Sequence, residues 1–341
     1  MRINPFHWTC LRSLFWIFLL STAATAQVRR HTISGYVKDA HTGEMLVGAS
    51  LWLPEIQSGT STNAYGFYSI TLTQGSYNLQ VSYVGFQTKT LRVDLDSSRG
   101  FNFELLPLND LQEIQVMDDR IRRQAREVQM SKIELTPQQI QQIPMLFGEK
   151  DLLKTFQLMP GVQKGNEGSS GIYVRGGGPD QNLILLDEAT VYNASHLFGF
   201  FSVFNGNAIK NASLTKGGFP ARSGGRLSSV LDITMKDGNS RDWCTEGSVG
   251  NISANFTVEG PLVKDKASMI ISGRRTYFDL LTAPLLLSGG EGLGGYYFQD
   301  LNAKFNYQLD DRNRLYLSGY LGQDKFYATT FGSSPLERTT A

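Results

Sequence analysis

The residues best suited to chemistry lie between Thr190 and Asn207, where Tyr192, Asn193, His196, Phe198, Phe200, Phe201 and Phe204 crowd one connecting segment. Rings supply contact area, and hydroxyl, amide and imidazole tips supply oriented hydrogen bonds, so Tyr192, Asn193 and His196 suit non-covalent recognition of a ligand. The phenylalanines suit internal packing equally well. Covalent chemistry finds no comparable set. His31 and His41 fall at a strand edge and in a turn, without the HExxH spacing that seats a metal and its general base. Gly176-Gly177-Gly178 is not followed by the Lys-Ser/Thr pair of a phosphate-binding loop. The expectation is recognition rather than catalysis, with no catalytic residue, metal or cofactor.

Short strands must position that segment. From Gly171 to Gly238, apolar runs (Ile172 to Val174, Leu183 to Leu186, Val230 to Ile233) alternate with glycine-dense turns. Glu149 to Leu158 predicts a helix, apolar at Leu152, Leu153, Phe156 and Leu158 and stopped by Pro160-Gly161. Upstream, Thr32 to Leu106 carries strand candidates at Thr32 to Lys38, Ala49 to Leu53, Phe67 to Leu72, Tyr77 to Val84 and Lys89 to Leu95. Weaker ones lie near Gln57 to Thr62 and Phe101 to Leu105, and turns at this spacing predict a small antiparallel sandwich. Downstream, Ala303, Phe305, Tyr307 and Leu309 alternate with Lys304, Asn306 and Gln308. After the turn at Asp310 to Asn313, Leu315, Leu317 and Leu321 alternate with Tyr316, Ser318 and Tyr320. One apolar and one polar face joined by a short turn is what a transmembrane β-hairpin needs, although a sandwich edge alternates similarly. Gly247 to Val258 and Ala267 to Tyr277 are weaker candidates for preceding strands.

The 341 residues are 41% hydrophobic and 18% charged, with a formal net charge of +1, so the chain is an ordered protein of two or three domains with no electrostatic bias toward nucleic acid. Aromatic content of 11% suits a β-rich fold and an aromatic girdle at a membrane interface. Arg2, His7 and Arg12 precede an apolar run from Leu14 to Leu20 and small residues ending Ala24-Thr25-Ala26, the pattern of a secretory signal peptide cleaved after Ala26. Cys10 would leave with it, and Cys244 would stand alone. No later stretch is a transmembrane helix, so membrane residence would require strands.

Two resemblances refine this reading. The wording ISGYVKDAHTGEMLVGASLWL, NAYGFYSITL and SYNLQVSYVGFQTKTLRV resembles the carboxypeptidase-regulatory-like domain, which implies a transthyretin-like β-sandwich serving as an accessory module without peptidase activity. The helix ending in MPGV, the strand with Arg175-Gly176, the strand ending Leu186-Asp187, the aromatic loop and the Gly224-Gly225-Arg226 turn resemble, in order, the plug domain of TonB-dependent outer-membrane receptors. The whole is then mainly β: a signal peptide over 1–26, a sandwich over 27–106, a linker over 107–130, an α+β plug over 131–238 and the first few strands of a transmembrane β-barrel over 239–341. Plugged transporters close with about 22 strands of roughly 9–11 residues, and Thr245 to Ala341 suffices for about four or five, so the barrel is expected to be incomplete.

The resemblance also implies roles. Glu113, Ile114, Gln115, Val116 and Met117 occupy the position of the TonB box, an extended segment that adds as a strand to periplasmic TonB, though an eighth sandwich strand or a plain linker reads as well. Tyr192, Asn193, His196 and Phe198 would sit at the plug apex facing a ligand vestibule, and Arg175, Gly176, Gly177 and Arg226 would anchor the plug, Arg175 by pairing with barrel-wall carboxylates. The implied function is energised import of a scarce nutrient (iron chelate, cobalamin, glycan or peptide) across the Gram-negative outer membrane, with sandwich and box periplasmic. A signalling receptor or a surface or periplasmic binding protein built on the sandwich is the alternative. The implied partners are TonB with its inner-membrane complex, the nutrient and outer-membrane lipid, with no nucleic acid. Glycan importers that share the sandwich pair with a surface lipoprotein. Leu158-Met159-Pro160-Gly161-Val162 and Leu186-Asp187-Glu188 depart from their usual plug wording, which leaves that partner open.

Overall fold

The computed structural model describes residues 30–108, 132–287 and 294–340, apart from 136–138, 141, 144, 147–148, 166–169, 220, 311–312 and 329–335. Residues 1–26, read as a signal peptide, and the candidate box Glu113 to Met117 lie outside the described residues.

The first unit is a sandwich. One sheet gathers β4 (Phe67–Thr73) and the short β7 (Arg99–Gly100) and β8 (Phe103–Leu105) around β1 (Arg30–Asp39). The other runs in the order β3 (Ser58–Ser61), β2 (Ser50–Leu53), β5 (Gly75–Ser82), β6 (Lys89–Leu95). Period-2 alternation sends Ile33 and Val37 inward from β1, and Tyr77, Leu79 and Val81 from β5, onto Leu51, Leu53, Tyr68 and Phe103. Each such fully buried side chain contributes about 1.5–3 kcal/mol.

The second unit has a mixed five-stranded sheet: β15 (Ala189–Thr190), β14 (Asn182–Leu186), β17 (Ser229–Met235), β16 (Ile209–Thr215), β9 (Lys132–Leu135), with β14 and β17 parallel. Two-stranded pairs, β10 (Met145–Leu146) with β11 (Glu149–Lys150) and β12 (Val162–Lys164) with β13 (Ile172–Val174), flank it. The helix α1 (Leu152–Gln157) is shorter than predicted. Glu149 and Lys150 are taken up as a strand, and Asp151 becomes the N-cap, its Oδ1 accepting from the amides of Leu153 at 3.0 Å and Lys154 at 3.2 Å. Leu152, Leu153 and Phe156 face the core, and Gly161 ends the segment at φ 76°.

The third unit is an antiparallel six-stranded sheet in chain order: β18 (Cys244–Val249), β19 (Ser253–Val263), β20 (Ala267–Thr276), β21 (Gly294–Gln308), β22 (Arg314–Ala328) and β23 (Leu336–Thr340). The expected strand over Gly247 to Val258 is in fact two, because the chain turns at Gly250, whose amide donates to Ser253 O at 2.8 Å. The helix α2 (Phe278–Leu287), which the sequence reading did not anticipate, joins β20 to β21. Gly238 makes the passage into this sheet at φ 81°, and a Cβ there would collide with the carbonyl of Met269.

The six-stranded sheet is apolar on the outside. Leu301, Phe305, Tyr307, Leu315, Leu317 and Leu321 are exposed, with Leu317 at 67%, while Ser268, Ser272, Asn302, Lys304 and Asn306 are buried against the second unit. Outward apolar residues run from Leu309, one residue past β21, up to Leu301, about 27 Å along a strand and about 20 Å once tilted by roughly 40°, close to the lipid-facing band of a transmembrane barrel. The turns β19–β20 and β21–β22 lie beside the sandwich, where Ser240 bridges Thr42 and Asp265 through backbone bonds of 2.8 and 2.9 Å. The segment carrying α2 lies at the other end.

Candidate functional site

Two chains of buried charge join the second unit to the inner face of the six-stranded sheet. The upper one centres on Arg274, which β20 sends inward opposite Asp300 of β21. Its Nε and Nη2 donate to Asp300 Oδ2 at 2.9 and 2.5 Å, Nη1 to Glu149 Oε2 at 3.1 Å, and Nη2 to the carbonyl of Ser202 at 2.8 Å. The guanidinium also lies over the Phe298 ring at 4.9 Å. Tyr320 donates to the second oxygen of Asp300 at 2.7 Å. His196 is 3% exposed and stacks on Phe298 at 3.8 Å, with Nε2 3.0 Å from Asp300 Oδ2 and Nδ1 3.2 Å from Asp324 Oδ1.

Burial pulls the His196 imidazole down. The hydrogen bonds and charges of Asp300 and Asp324 outweigh burial and the nearby Arg274, and they hold its pKa above the ordinary value. As an imidazolium, both ring N–H groups donate to a carboxylate. A raised folded pKa stabilises the assembly fully below the unfolded value of about 6.5, and this contribution fades as pH rises through the folded value. The melting temperature of the complete protein in detergent should therefore exceed that of His196→Gln by more at about pH 5.5 than at about pH 9. An equal gap at both values would mean that the ring is held neutral.

The lower chain alternates in sign across all three units. Glu44 of the sandwich lies 3.6 Å from Lys210 Nζ, Lys210 donates to Asp237 Oδ2 at 2.8 Å, and Lys304 of β21 pairs with Asp237 at 3.0 Å and Asp187 at 3.2 Å. Lys304 also donates to Met235 O at 3.0 Å, and the Asp237 amide to Glu44 at 3.1 Å. Burial would push Asp237 up, but Lys210 and Lys304 hold it far below the usual carboxylate range. Asp187 Oδ1 accepts from the Met235 amide at 2.9 Å, fixing the end of β14 against β17.

These clusters fix the course of the aromatic loop. It leaves the level of Lys304 at Asp187, passes Asp300 at His196, and reaches Tyr296 and Phe326 at Phe198, whose ring packs edge-on to both at 5.4 and 5.6 Å. That climb along β21 is about 27 Å. Phe198 has a left-handed backbone at φ 68° and is 57% exposed. Tyr192 is 87% exposed, and Asn193 is exposed with Oδ1 accepting from the Ser195 amide at 3.4 Å. His196 thus parts from Tyr192, Asn193 and Phe198: its polar tip is used up on carboxylates inside the assembly. Phe204 is buried in the core.

Arg175 is exposed, at φ 49° beside Gly217, and Gly176 follows at φ 83°. Gly177 lies so close to Ser228 that a side chain would collide with it, and Arg226 donates to Gly225 O at 3.3 Å. Ion pairs of both polarities cross the contact: His196 of the inner unit meets Asp300 and Asp324 of the sheet, and Arg274 and Lys304 of the sheet meet Glu149, Asp187 and Asp237. Apart from His196, sequence reasoning missed these residues. The available signal was a charged residue at an inward position of a strand whose other face is apolar.

Known families match the first two of the three units. A family description of the CarboxypepD_reg-like domain matches residues 33–116, and one of the TonB-dependent receptor plug domain matches residues 124–229. TonB-dependent receptor P3 of Formosa agariphila is 29% identical over 107 residues, which is 31% of this chain and 11% of that protein. The siderophore receptor PirA of Acinetobacter baumannii has a TM-score of 0.43 at 21% identity, covering 62% of this chain and 34% of its own. The copper transporter OprC has a TM-score of 0.41 at 12% identity, covering 62% and 33%. This chain thus spans about a third of those receptors and a small part of the curated relative. The chain thus carries a CarboxypepD_reg-like domain followed by a TonB-dependent receptor plug domain, and in that region it is similar to TonB-dependent receptors.

Proposed function

We propose that this chain forms part of an outer-membrane transporter that imports a scarce nutrient when TonB displaces the plug. One observation carries the reading: the wall is apolar outside and polar inside, and the plug fills it through buried ion pairs rather than an apolar seam. Such a contact is specific while closed and can be hydrated when opened, whereas an apolar seam would expose surface at about 25 cal/mol per Å². The family is one of transporters and receptors rather than enzymes. Barrels of this kind have short periplasmic turns, so the sandwich, seated beside the two hairpin turns, faces the periplasm and the α2 end faces outward. Tyr192, Asn193 and Phe198 then contribute to the outer mouth, and Ile114 belongs to the segment Glu113 to Met117 offered to TonB. Iron chelates, cobalamin, glycans and peptides all suit an aromatic mouth with amide and hydroxyl tips.

The test uses the complete receptor in cells given ferric siderophores, cobalamin, oligosaccharides or peptides, each as the limiting nutrient. Ile114→Pro should abolish growth on the imported class, since proline removes a ladder donor and fixes φ, while surface binding of the same labelled compound persists. Combined Tyr192→Ala and Asn193→Ala should instead weaken that binding by about 1–3 kcal/mol. Uptake unaffected by the proline would remove the TonB assignment from this segment.

A further inference from the structure

We infer that α2 is a membrane-seated helix, lying on the outside of the barrel wall with its apolar surface in the outer leaflet. This rests on the outer-membrane reading above. The side of the wall on which α2 sits is decided by one contact. Arg274 and Thr276 of β20 point inward, so Arg275 points outward, level with Gln299 of β21 and Gln323 of β22, which hydrogen-bond to each other at 2.8 Å in the open. Arg275 stacks over the outward Tyr297 ring at 4.6 Å and pairs with Asp279 at 2.8 Å. Asp279 belongs to the first turn of α2, so the helix begins against the external face and not over the lumen.

The composition of α2 then selects its surroundings. FDLLTAPLLL has no basic residue and Asp279 as its sole charge, which Arg275 neutralises. A helix apolar on all sides belongs in a protein core or in lipid. Among the described residues nothing covers Phe278, Leu280 and Leu281, which are all exposed. Its ten residues span about 15 Å, too short to cross the bilayer. Directly below run the outward Ile271, Leu301 and Leu321 of the lipid-facing band, so α2 continues that surface past the polar row of Arg275, Gln299 and Gln323. Lipid is the one apolar medium already adjoining that face.

The experiment places a nitroxide at Leu281→Cys in the complete receptor, in a background lacking other cysteines, reconstituted in phospholipid vesicles. Leu317→Cys on the wall and Asn313→Cys in the hairpin turn serve as lipid and water references. Collision with oxygen relative to a water-soluble nickel chelate should be raised at 281, toward the value at 317 and away from that at 313. A nickel-accessible label at 281 beside an oxygen-rich one at 317 would overturn the proposal while leaving the barrel in the membrane. Low access to both reagents at 281 would also overturn it, by showing a protein cover. A water-like label at 317 would sink the membrane reading itself. Leu280→Cys repeats the measurement on the same turn if the first variant does not assemble.

Discussion

Arg274→Ala in the complete receptor is expected to destabilise it by about 3–5 kcal/mol, because removal of one member of a buried ionic set strands the others. Glu149 loses its described ion pair, Ser202 O loses a donor, and among the described residues Asp300 keeps His196 and Tyr320. Melting in detergent reads the energy, and entry of vancomycin into expressing cells reads whether the plug has come away from the wall. Glu149→Gln in the Arg274→Ala background should recover part of the loss, since it removes the stranded charge. Wild-type melting and intact exclusion in Arg274→Ala would mean that the cluster does not hold the plug.

Lys304→Met should be the second most damaging change, again by about 3–5 kcal/mol. The methionine keeps the length of the stem and deletes the charge that neutralises Asp187 and half of the load on Asp237. Asp237 retains Lys210, so the greater part of the cost falls on Asp187, and Asp187→Asn should compensate. In the wild type the depressed Asp237 pKa stabilises above its unfolded value of about 4, and this is lost as pH falls through the folded value. The gap between wild type and Lys304→Met should accordingly narrow in acid. Melting curves at several pH values measure it, and a gap that widened in acid would show Asp237 to be protonated in the assembly. Since the sandwich joins this chain through Glu44, the variant should also speed proteolysis between sandwich and plug.

Much of the architecture was legible in the chain itself. β6 falls on the residues its alternation predicts, and β21 and β22 contain the hairpin read around Asp310 to Asn313, because local pleat and turn chemistry act over a few residues. The aromatic loop and its neighbouring motifs were equally plain. Yet alternation only says that Lys304 and Leu301 face opposite ways, and a soluble sandwich with the same pattern would bury Leu301. Which face is covered depended on what packs there, and the plug brings Glu149, Asp187 and Asp237 to meet Arg274 and Lys304. Asp300 and His196 are separated by 104 residues, and Glu149 and Arg274 by 125. No local pattern encodes such a pairing. It exists because the register of β20 on β21 sets Arg274 opposite Asp300, and a one-residue slip of β20 would turn Arg274 to the opposite face from Asp300. For the same reason His196, which by type and place suited a ligand, was claimed by two carboxylates that only the folded wall could bring to it.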